Sequence, residues 1–504
     1  MKKNGLRSAV LATLVAGFLV LPAGAEPPRM KMTTTLPPGI ASPDQVETRL
    51  GTLRFFDGFP DDATVSKLYD NLDFQRAVQA YLLGLAPVSQ VANRNEILKL
   101  GPANTTIPIF EELMNARSIF LTPNNNTPYT WFWVDLHNGP LVLEVPPKVL
   151  GAIDDMWYRF VTDLGFSGPD KGQGGKYLLL PPGYKGEVPE GYYVVRLETF
   201  SAWVPWRTFL VDGDPKPGVD LVKKFTKIYP LSQAGNPPAL NFINVSGRDF
   251  CTVAPADYTF WEYLNQVVQE EPTGSIDPVT SGFFASVGIQ KGRPFAPDAR
   301  MKKILTEAAA VGDATARAIT FRMRQLKDAY YYPNSAWRGG FIGGYKFQDN
   351  DALILDAYSS FFFYATGVTP AMDSKLVGQG SQYMAAFIDS KGNPLDGGKN
   401  YKLHLPPNIP VANFWSVILY DNQTRSMLQT DQTWPAVSSQ TKGILVNPDS
   451  SVDVYFGPKA PAGKEHNWVQ TIPGKGWNVL FRLYGPLQPW FDKTWRPGEI
   501  EEVK

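Results

Sequence analysis

Short runs of aromatic and β-branched residues, each closed by a proline or glycine turn, fill two separate blocks of this sequence. Such runs are typical of β-strands, because branched and aromatic side chains pack well on a pleated surface. In the first block the runs occupy residues 131–136, 141–145, 156–161, 177–180 and 192–197. Asn-Gly-Pro and Pro-Pro turns separate several of them. This spacing predicts an antiparallel β-structure in the N-terminal half.

The second block predicts a β-sandwich near the C-terminus. Its runs occupy residues 383–389, 401–405, 414–420, 452–456 and 478–484. In residues 401–405 (YKLHL) apolar and polar residues alternate, so one side of that strand should face a core and the other side water. Trp415 lies in the third run, and we interpret it as a core residue.

Helical periodicity dominates the segments before and between these blocks. Near the N-terminus it predicts one helix around Val65 and Leu68, a second over residues 72–85, and a further helical stretch ending near Arg117. In the middle it predicts helices over residues 256–270, 298–323 and 351–365. The fold class is therefore α+β and β-rich, with an N-terminal mixed α/β domain, a helical middle segment and a C-terminal sandwich.

The first 25 residues have the pattern of a cleaved secretory signal. A basic start is followed by an apolar run at residues 9–21 and then by Ala23-Gly24-Ala25. A membrane anchor is the alternative, but the apolar run is shorter than the ~20 residues that span a bilayer. We expect cleavage after Ala25, a periplasmic or secreted protein, and no stable membrane insertion of the mature chain.

Charge, cysteine and histidine content narrow the chemistry. Without the three basic residues of the signal, 45 basic residues face 48 acidic ones, a net charge of −3, so nucleic acid is not an expected partner. Cys251 is the single cysteine, so no disulfide can form within the chain, and we interpret it as a small buried hydrophobe instead of a nucleophile. His137, His404 and His466 are far apart, which argues against a histidine-based metal centre. No cofactor is predicted.

One polar and aromatic cluster is the strongest candidate for a ligand site. It comprises Asn124, Asn125, Asn126, Tyr129, Trp131 and Asp135. The three amides could present hydrogen-bond donors and acceptors to a polyhydroxylated ligand, with the aromatic rings as stacking surfaces. Alternatively, the amide side chains cap local turns. Both interpretations stay open at this point.

A second set of candidates follows on the next predicted strand. Tyr158, Arg159 and Asp163 could bind a carboxylate or phosphate through the guanidinium group, or Arg159 could form a structural ion pair with an acid such as Asp135. The adjacent acids Asp154 and Asp155 are weaker candidates, because neighbouring carboxylates usually face water. In the C-terminal block, the candidates are Trp468 and Arg482.

Several of these segments resemble two domains of unknown function, numbers 1254 and 1214. The first is suggested by residues 123–136, 139–146 and 156–163, and the second by residues 413–421, 467–468, 482–486 and 495–497. Residues 288–298 are similar to the segment that connects the two. The resemblance implies a jelly-roll, lectin-like C-terminal sandwich behind a mixed N-terminal domain. It supplies no catalytic residues, and Asn126 stands where the first domain usually has an aspartate, which counts against catalysis if that acid is catalytic.

These patterns give a domain plan and three functional hypotheses. The plan is a signal peptide at 1–25, a spacer at 26–43, an N-terminal domain at 44–250, a helical connection at 251–375 and a sandwich at 376–504. The leading hypothesis is an exported binding protein for a small-molecule or carbohydrate ligand. The alternatives are an exported hydrolase or lyase that uses carboxylate, tyrosine and arginine side chains, and an envelope structural or assembly protein that could form a homo-oligomer.

Overall fold

The computed structural model of this chain describes residues 34–504 except 36, 325 and 327. The predicted signal peptide at residues 1–25, and residues 26–33 and 36 of the predicted spacer, lie outside the described residues. The chain divides into two compact units, residues 1–74 and residues 75–504. In the part that the structure describes, no helix is both long enough and apolar enough to cross a membrane.

The first unit contains a small antiparallel sheet. Its strands are Gln45–Thr48, Gly51–Phe56 and Phe59–Pro60. Asp57 and Gly58 connect the last two strands with φ angles of 48° and 83°, the left-handed values that a two-residue hairpin turn needs.

One long helix, Asp62–Leu98, replaces the two shorter helices that the periodicity predicts. Proline within a helix removes one backbone hydrogen bond, and Pro87 lies inside this one. All residues from 84 to 94 are nevertheless buried, so packing outweighs the lost bond. The prediction of a helical stretch that ends near Arg117 is wrong. Its apolar centre is the buried strand Thr106–Ile109, which pairs with a strand on each side, and the rest consists largely of turns.

Two sheets form the N-terminal half of the second unit, and both face the same apolar core. The six-stranded sheet has, in spatial order, Asn241–Asn244, Thr106–Ile109, Tyr129–Asp135, Ser201–Arg207, Leu150–Asp155 and Phe160–Gly165. The four-stranded sheet has Tyr193–Arg196, Gly175–Leu180, Leu141–Val145 and Lys227–Pro230. Pairing is antiparallel as predicted, except for one parallel pair at an edge of each sheet.

A hairpin turn interrupts the strand predicted at residues 156–161. Asp155 produces it, because its Oδ1 accepts hydrogen bonds from the backbone N–H of Trp157 (2.8 Å) and of Arg159 (3.0 Å). Tyr158 adopts a φ of 59° in this turn. A period-two pattern predicts that Tyr158 and Arg159 point to opposite faces of a strand. Because the turn interrupts the strand here, they do not.

Helices occupy most of the middle of the chain. The main ones are Lys216–Phe225, Thr259–Glu270, Pro278–Ser286, Ala299–Phe321 and Leu355–Tyr364, with short helices at Pro370–Asp373 and Gln488–Phe491. Asp298 caps the longest of them by accepting a hydrogen bond from Met301 N–H (2.7 Å). Short turns of 3-10 helix occur at Leu231–Gln233, Thr273–Ser275 and Glu465–Asn467. Cys251 is exposed, so its interpretation as a buried hydrophobe is wrong; it ends the edge strand Phe250–Cys251.

The C-terminal part is the predicted two-sheet, jelly-roll-like sandwich. One sheet has Arg338–Gly339, Ser381–Ala386, Trp477–Pro486, Val411–Asp421 and Ala436–Ser438, and the other has Trp468–Gln470, Val452–Gly457, Asn400–Leu405 and Ile500–Val503. Tyr401, Leu403 and Leu405 are buried, while Lys402 and His404 between them are not, which confirms the predicted alternation. Trp415 lies in the shared core, also as predicted.

The β-rich α+β fold class is thereby confirmed. Two short hairpin strands, Gln348–Asp349 and Ala352–Leu353, and the pair Ser118–Ile119 with Phe250–Cys251 complete the elements.

Candidate functional site

A cavity of about 200 Å³ lies between the six-stranded sheet and the five-stranded sheet of the sandwich. Its walls come from both sheets, from the helix Leu355–Tyr364 and from the segment that follows this helix. Most of the wall is apolar, with phenylalanine, tryptophan, leucine and isoleucine side chains. The polar groups are few, and we describe them wall by wall.

The six-stranded sheet presents mainly every second residue of its strands to the cavity. On Ser201–Arg207 these residues are Trp203, Pro205 and Arg207, and on the neighbouring strand Leu150–Asp155 they include Ala152 and Asp154; Trp206 and Gly151 of the same strands also border the cavity. Tyr129 and Trp131 supply the same face of Tyr129–Asp135, and Asp163 comes from the edge strand. This alternation is the period of a pleated sheet, so a single face of the sheet forms the floor of the cavity.

The five-stranded sheet closes the cavity from the other side. Ser381, Tyr383 and Ala385 alternate along one strand, and Leu480 and Arg482 alternate along the next. Antiparallel pairing places Tyr383 directly opposite Arg482. The edge strand adds Arg338.

Three arginines face this cavity, and among the described residues none of the three forms an ion pair with a carboxylate. They are Arg207, Arg338 and Arg482. Arg338 and Arg482 are 6% and 5% exposed, and Arg207 is partly buried. Arg482 Nη2 donates to the carbonyl of Thr122 (2.6 Å) and to the hydroxyl of Tyr420 (2.7 Å). Its Nε, like Nε and Nη1 of Arg338, is buried without a hydrogen-bond partner in the part of the chain that the structure describes.

The charge of these arginines acts on the tyrosines between them. Burial alone would raise the pKa of Tyr383, but the guanidinium charges of Arg207 and Arg482 lower it below the usual value for a phenol. The Arg482 guanidinium lies 5.3 Å from the ring centre of Tyr383. Burial lowers the pKa of Arg338 to about 10, an effect that Tyr330 and Tyr364 only partly offset. The arginine end of the cavity is therefore strongly positive.

Two carboxyl groups, those of Asp154 and Asp163, also line the cavity. Asp154 is 1% exposed, and burial raises the pKa of its carboxyl well above the usual value. Its Oδ2 accepts a hydrogen bond from Val368 N–H (3.0 Å), whereas its Oδ1 has no partner among the described residues. Burial raises the pKa of Asp163 to about 6, and its Oδ1 accepts a hydrogen bond from Thr369 Oγ1 (2.7 Å). The prediction that the Asp154–Asp155 pair faces water is wrong, since both carboxyl groups are buried.

Four of the residues that the sequence singles out line this cavity: Tyr129, Trp131, Asp163 and Arg482. Trp131 is 1% exposed and stacks on Phe120 with ring centres 4.0 Å apart. The Nε1 of Trp131 and that of Trp203 are buried, and neither has an acceptor in the described part of the chain. A ligand in the cavity would therefore meet unused hydrogen-bond donors as well as apolar walls.

The asparagine run organises the loop beside the cavity instead of lining it. Asn124 is fully buried, and its Oδ1 accepts hydrogen bonds from the backbone N–H groups of Asn126 (2.9 Å) and Thr127 (3.1 Å). Its Nδ2 donates to the hydroxyl of Tyr129 at 2.5 Å, so Asn124 positions a residue of the cavity wall. Asn125 and Asn126 do not line the cavity, although the Oδ1 atom of each is buried and lacks a partner within the described residues.

The remaining candidates lie elsewhere. Asp135 contacts His137 (2.6 Å) at the far end of its strand. Arg159 forms its ion pair with Asp155 (2.6 Å) and not with Asp135, because the hairpin turn places the two side by side. Tyr158 is buried, and its hydroxyl contacts Thr366 of the cavity wall. Trp468 lies in the outer sheet of the sandwich and donates to the carbonyl of Gly457 (2.9 Å).

Sequence reasoning missed Arg207, Arg338 and Tyr383 of this cavity, and it ranked Asp154 only as a weak candidate. Arg207 ends an otherwise apolar strand (SAWVPWR) on the same face as Trp203. Because this arginine shares the alternating positions of the strand with a buried tryptophan, the sequence pattern alone could have indicated it as a residue of the cavity wall. Arg338 lies in the Gly- and aromatic-rich segment 330–345, which the pattern favours only as a loop.

Within residues 34–504, apart from the three undescribed positions, no group of three or more histidine, cysteine, aspartate or glutamate side chains is arranged to hold a metal ion.

Two family models match the chain. The model described as "Protein of unknown function (DUF1254)" matches residues 104–230, and the one described as "Protein of unknown function (DUF1214)" matches residues 380–488. The predicted pairing of these two domains is confirmed. The cavity lies between the two matched segments, and the helix Leu355–Tyr364 from the stretch between them completes it.

Two solved structures resemble this one. The VPA0106 protein from Vibrio parahaemolyticus is 19% identical with a TM-score of 0.53, covering 86% of this chain and 100% of its own, which indicates a shared fold. A putative uncharacterized protein from Burkholderia cenocepacia is 14% identical with a TM-score of 0.38, covering 87% of this chain and 96% of its own. No protein of the curated set matches.

Proposed function

The chain pairs a DUF1254 segment with a DUF1214 segment, and we propose that it binds a small organic anion in the cavity between them. The observation that carries this proposal is the set of three arginines, Arg207, Arg338 and Arg482, that face an otherwise apolar cavity without a carboxylate partner among the described residues.

The size of the cavity limits the ligand. An apolar cavity of about 150 Å³ in a protein interior can hold benzene. The 200 Å³ found here therefore suit a molecule with a single ring or a short chain better than an oligosaccharide. The apolar walls match the body of such a molecule.

The charge of the cavity selects the head group. A buried cation without a counter-ion costs several kcal/mol, and a bound anion would offset that cost. Guanidinium groups bind carboxylates through paired, parallel hydrogen bonds, and the unpartnered donors of Arg338 and Arg482 are available for such bonds. A neutral sugar would leave these charges uncompensated, so a small organic acid fits better than the carbohydrate that the sequence also suggests.

A thermal-unfolding assay with matched ligands tests the proposal. Benzoate, phenylacetate and hexanoate should raise the Tm of the purified protein, because a ligand at 100 times its Kd stabilises the folded state by about 2.7 kcal/mol. Benzamide, which has the shape of benzoate without its charge, and glucose should leave the Tm unchanged.

Variants connect the effect to the cavity. Arg207→Gln should reduce the Tm shift caused by benzoate, whereas Arg248→Gln, at an exposed site outside the cavity, should retain it. The proposal fails if none of the three acids raises the Tm, or if benzamide is as effective as benzoate.

A second candidate function, an enzyme, is favoured by Tyr383. A buried phenol with a lowered pKa between two arginines is suited to accept or donate a proton. Incubation of the protein with each acid that binds, followed by mass spectrometry and NMR, would reveal turnover. Tyr383→Phe should abolish it. Recovery of every bound acid unchanged after prolonged incubation would exclude this reaction for the acids tested.

Export and assembly remain part of the proposal. The basic, apolar and small-residue pattern of residues 1–25 supports a cleaved signal. N-terminal sequencing of the mature protein should begin at Glu26. The envelope-component hypothesis predicts self-association, which light scattering of the purified protein would detect.

A further inference from the structure

The cavity has an acidic group of side chains in addition to its arginines. Asp154 and Asp163 lie on neighbouring antiparallel strands, where Asp163 pairs with Ala152, two residues before Asp154. Both contact the same short segment, since Val368 N–H donates to Asp154 and Thr369 Oγ1 donates to Asp163. We call these two residues the acid pair.

Part of the acid pair lacks a partner. Oδ1 of Asp154 belongs to a side chain that is 1% exposed and lines the cavity, and it makes no hydrogen bond to any described residue. Neither acid forms an ion pair with a lysine or arginine of the described chain. A buried polar atom without a hydrogen-bond partner costs about 1–3 kcal/mol, so a polar group from a ligand is favoured at this position.

Strand register separates the acid pair from Arg207. Arg207 pairs with Leu150, whereas Asp163 is level with Ala152 and Asp154 lies four residues beyond Leu150. At about 3.3 Å per residue, these positions are roughly 7 Å and 13 Å along the sheet from the level of Arg207. The cavity therefore has a basic region at the level of Arg207 and an acidic region at the levels of Asp163 and Asp154; the apolar side chain of Ala152 lies level with Asp163, and Pro205 is two residues from Arg207.

Resting on the proposed function, we propose that the ligand is a hydroxylated organic acid: its carboxylate binds the arginines, and a hydroxyl group on the opposite side of its apolar body bonds to Asp154 and Asp163. The distance between the two regions matches a molecule with one ring between its two polar groups. An acid with a carboxylate as its only polar group would leave Oδ1 of Asp154 without a hydrogen-bond partner.

The protonation of the acid pair favours a hydroxyl over an ammonium group. Burial raises the pKa of Asp163 to about 6 and that of Asp154 well above its usual range. No arginine is among the groups that shift either value, in keeping with the separation of the two regions. A protonated carboxyl group donates a hydrogen bond and an ionised one accepts, and a hydroxyl group can pair with either. An ammonium group offers donors alone.

Calorimetric titration of the full protein with matched ligands at pH 7.5 tests this inference. We expect 4-hydroxybenzoate to bind at least about tenfold more tightly than benzoate, the effect of one hydrogen bond to a charged or buried group. In Asp154→Asn and Asp163→Asn this ratio should fall towards one. Asp249→Asn, an exposed site outside the cavity, should keep the ratio of the unmodified protein.

The outcomes separate the two proposals. If neither benzoate nor 4-hydroxybenzoate binds, and no other acid does, the proposed function fails. If both bind equally to the unmodified protein, the acid pair does not read a hydroxyl group and this inference is overturned, while anion binding stands. Tighter binding of 4-(aminomethyl)benzoate than of 4-hydroxybenzoate would also overturn it. The comparison of the two ligands in the unmodified protein decides the inference by itself. The test therefore remains valid even if a variant fails to fold.

Discussion

The two faces of the strand Trp477–Pro486 differ sharply, although all ten of its residues are buried. On one face Phe481 and Leu483 belong to the core of the sandwich. On the other face Leu480 and Arg482 line the cavity. The first face packs within the hydrophobic core, whereas the second carries a guanidinium charge whose Nε has no hydrogen-bond partner in the described chain. Burial alone therefore does not distinguish a packing surface from a binding surface; the chemistry of the buried atoms does.

The same contrast holds for the neighbouring strand Ser381–Ala386. Met384 and Ala386 face the sandwich core, whereas Ser381, Tyr383 and Ala385 face the cavity. One sheet thus serves as the inner layer of a filled core and as a wall of an open cavity. Substitutions on its two faces should affect different properties, and the following predictions test that division.

The largest effect is expected on the core face. Phe481→Ala should lower the free energy of unfolding by about 3–5 kcal/mol, because it removes a fully buried ring that packs near Trp415, Trp337 and Trp495. The midpoint of urea unfolding measures this change. A loss below about 1 kcal/mol would mean that the sandwich core does not depend on this ring.

On the cavity face, the expected effect is on binding. Arg338→Met should weaken benzoate binding about tenfold to a hundredfold, since a charged donor contributes that much to a hydrogen bond. The unfolding free energy should stay constant or rise, because the substitution removes a buried charge that lacks a carboxylate partner among the described residues. Calorimetry and urea unfolding measure the two quantities. A large loss of stability would show that Arg338 is mainly structural.

A smaller effect is expected from pH at Asp163. Its pKa rises from 3.8 to about 6 on folding, so the folded state binds the proton more tightly, and stability from this group is present at low pH and lost as pH rises from about 4 to 6. Partial exposure limits the loss to about 1–2 kcal/mol. Asp163→Asn should remove this component, so its stability relative to the unmodified protein should be higher at pH 7.5 than at pH 4. An identical pH profile for both proteins would contradict the assignment.

The smallest effect is expected in the outer sheet of the sandwich. Trp468→Phe keeps most of the ring but removes the hydrogen bond to the carbonyl of Gly457, a loss of about 0.5–1.5 kcal/mol. Because Trp468 lies outside the cavity, benzoate binding should not change. A change in the calorimetric Kd would restore Trp468 as a ligand-binding residue.

Local sequence patterns predicted those helices and strands whose intrinsic preference agrees with their tertiary contacts. The alternation at residues 401–405 predicted a half-exposed strand, and the periodicity of residues 298–323 predicted a helix; both are present. The failures occurred where tertiary contacts override local preference. Thr106–Ile109 is a strand because it has a partner on each side, and Asp155 creates a turn inside an apparently continuous strand.

The candidate site was predictable only in part, because strands far apart in sequence assemble it. Tyr129, Trp131, Asp163 and Arg482 carry recognisable chemistry, and each was identified from its own neighbourhood. The arrangement of Arg207 and Arg482 around Tyr383 depends on three strands that are far apart in the chain, since Tyr383 lies 176 residues after Arg207 and 99 residues before Arg482, and no short-range pattern encodes this.

The bond between Arg482 and the carbonyl of Thr122 has a consequence for how the protein forms. It joins residues 360 positions apart, near the beginning of one matched segment and the end of the other. Contacts of such long range form slowly, because a large loop must close before they are gained. During synthesis, the loop around Thr122 therefore has to wait for almost the entire polypeptide, and chains that stop before Arg482 would leave it without its anchor.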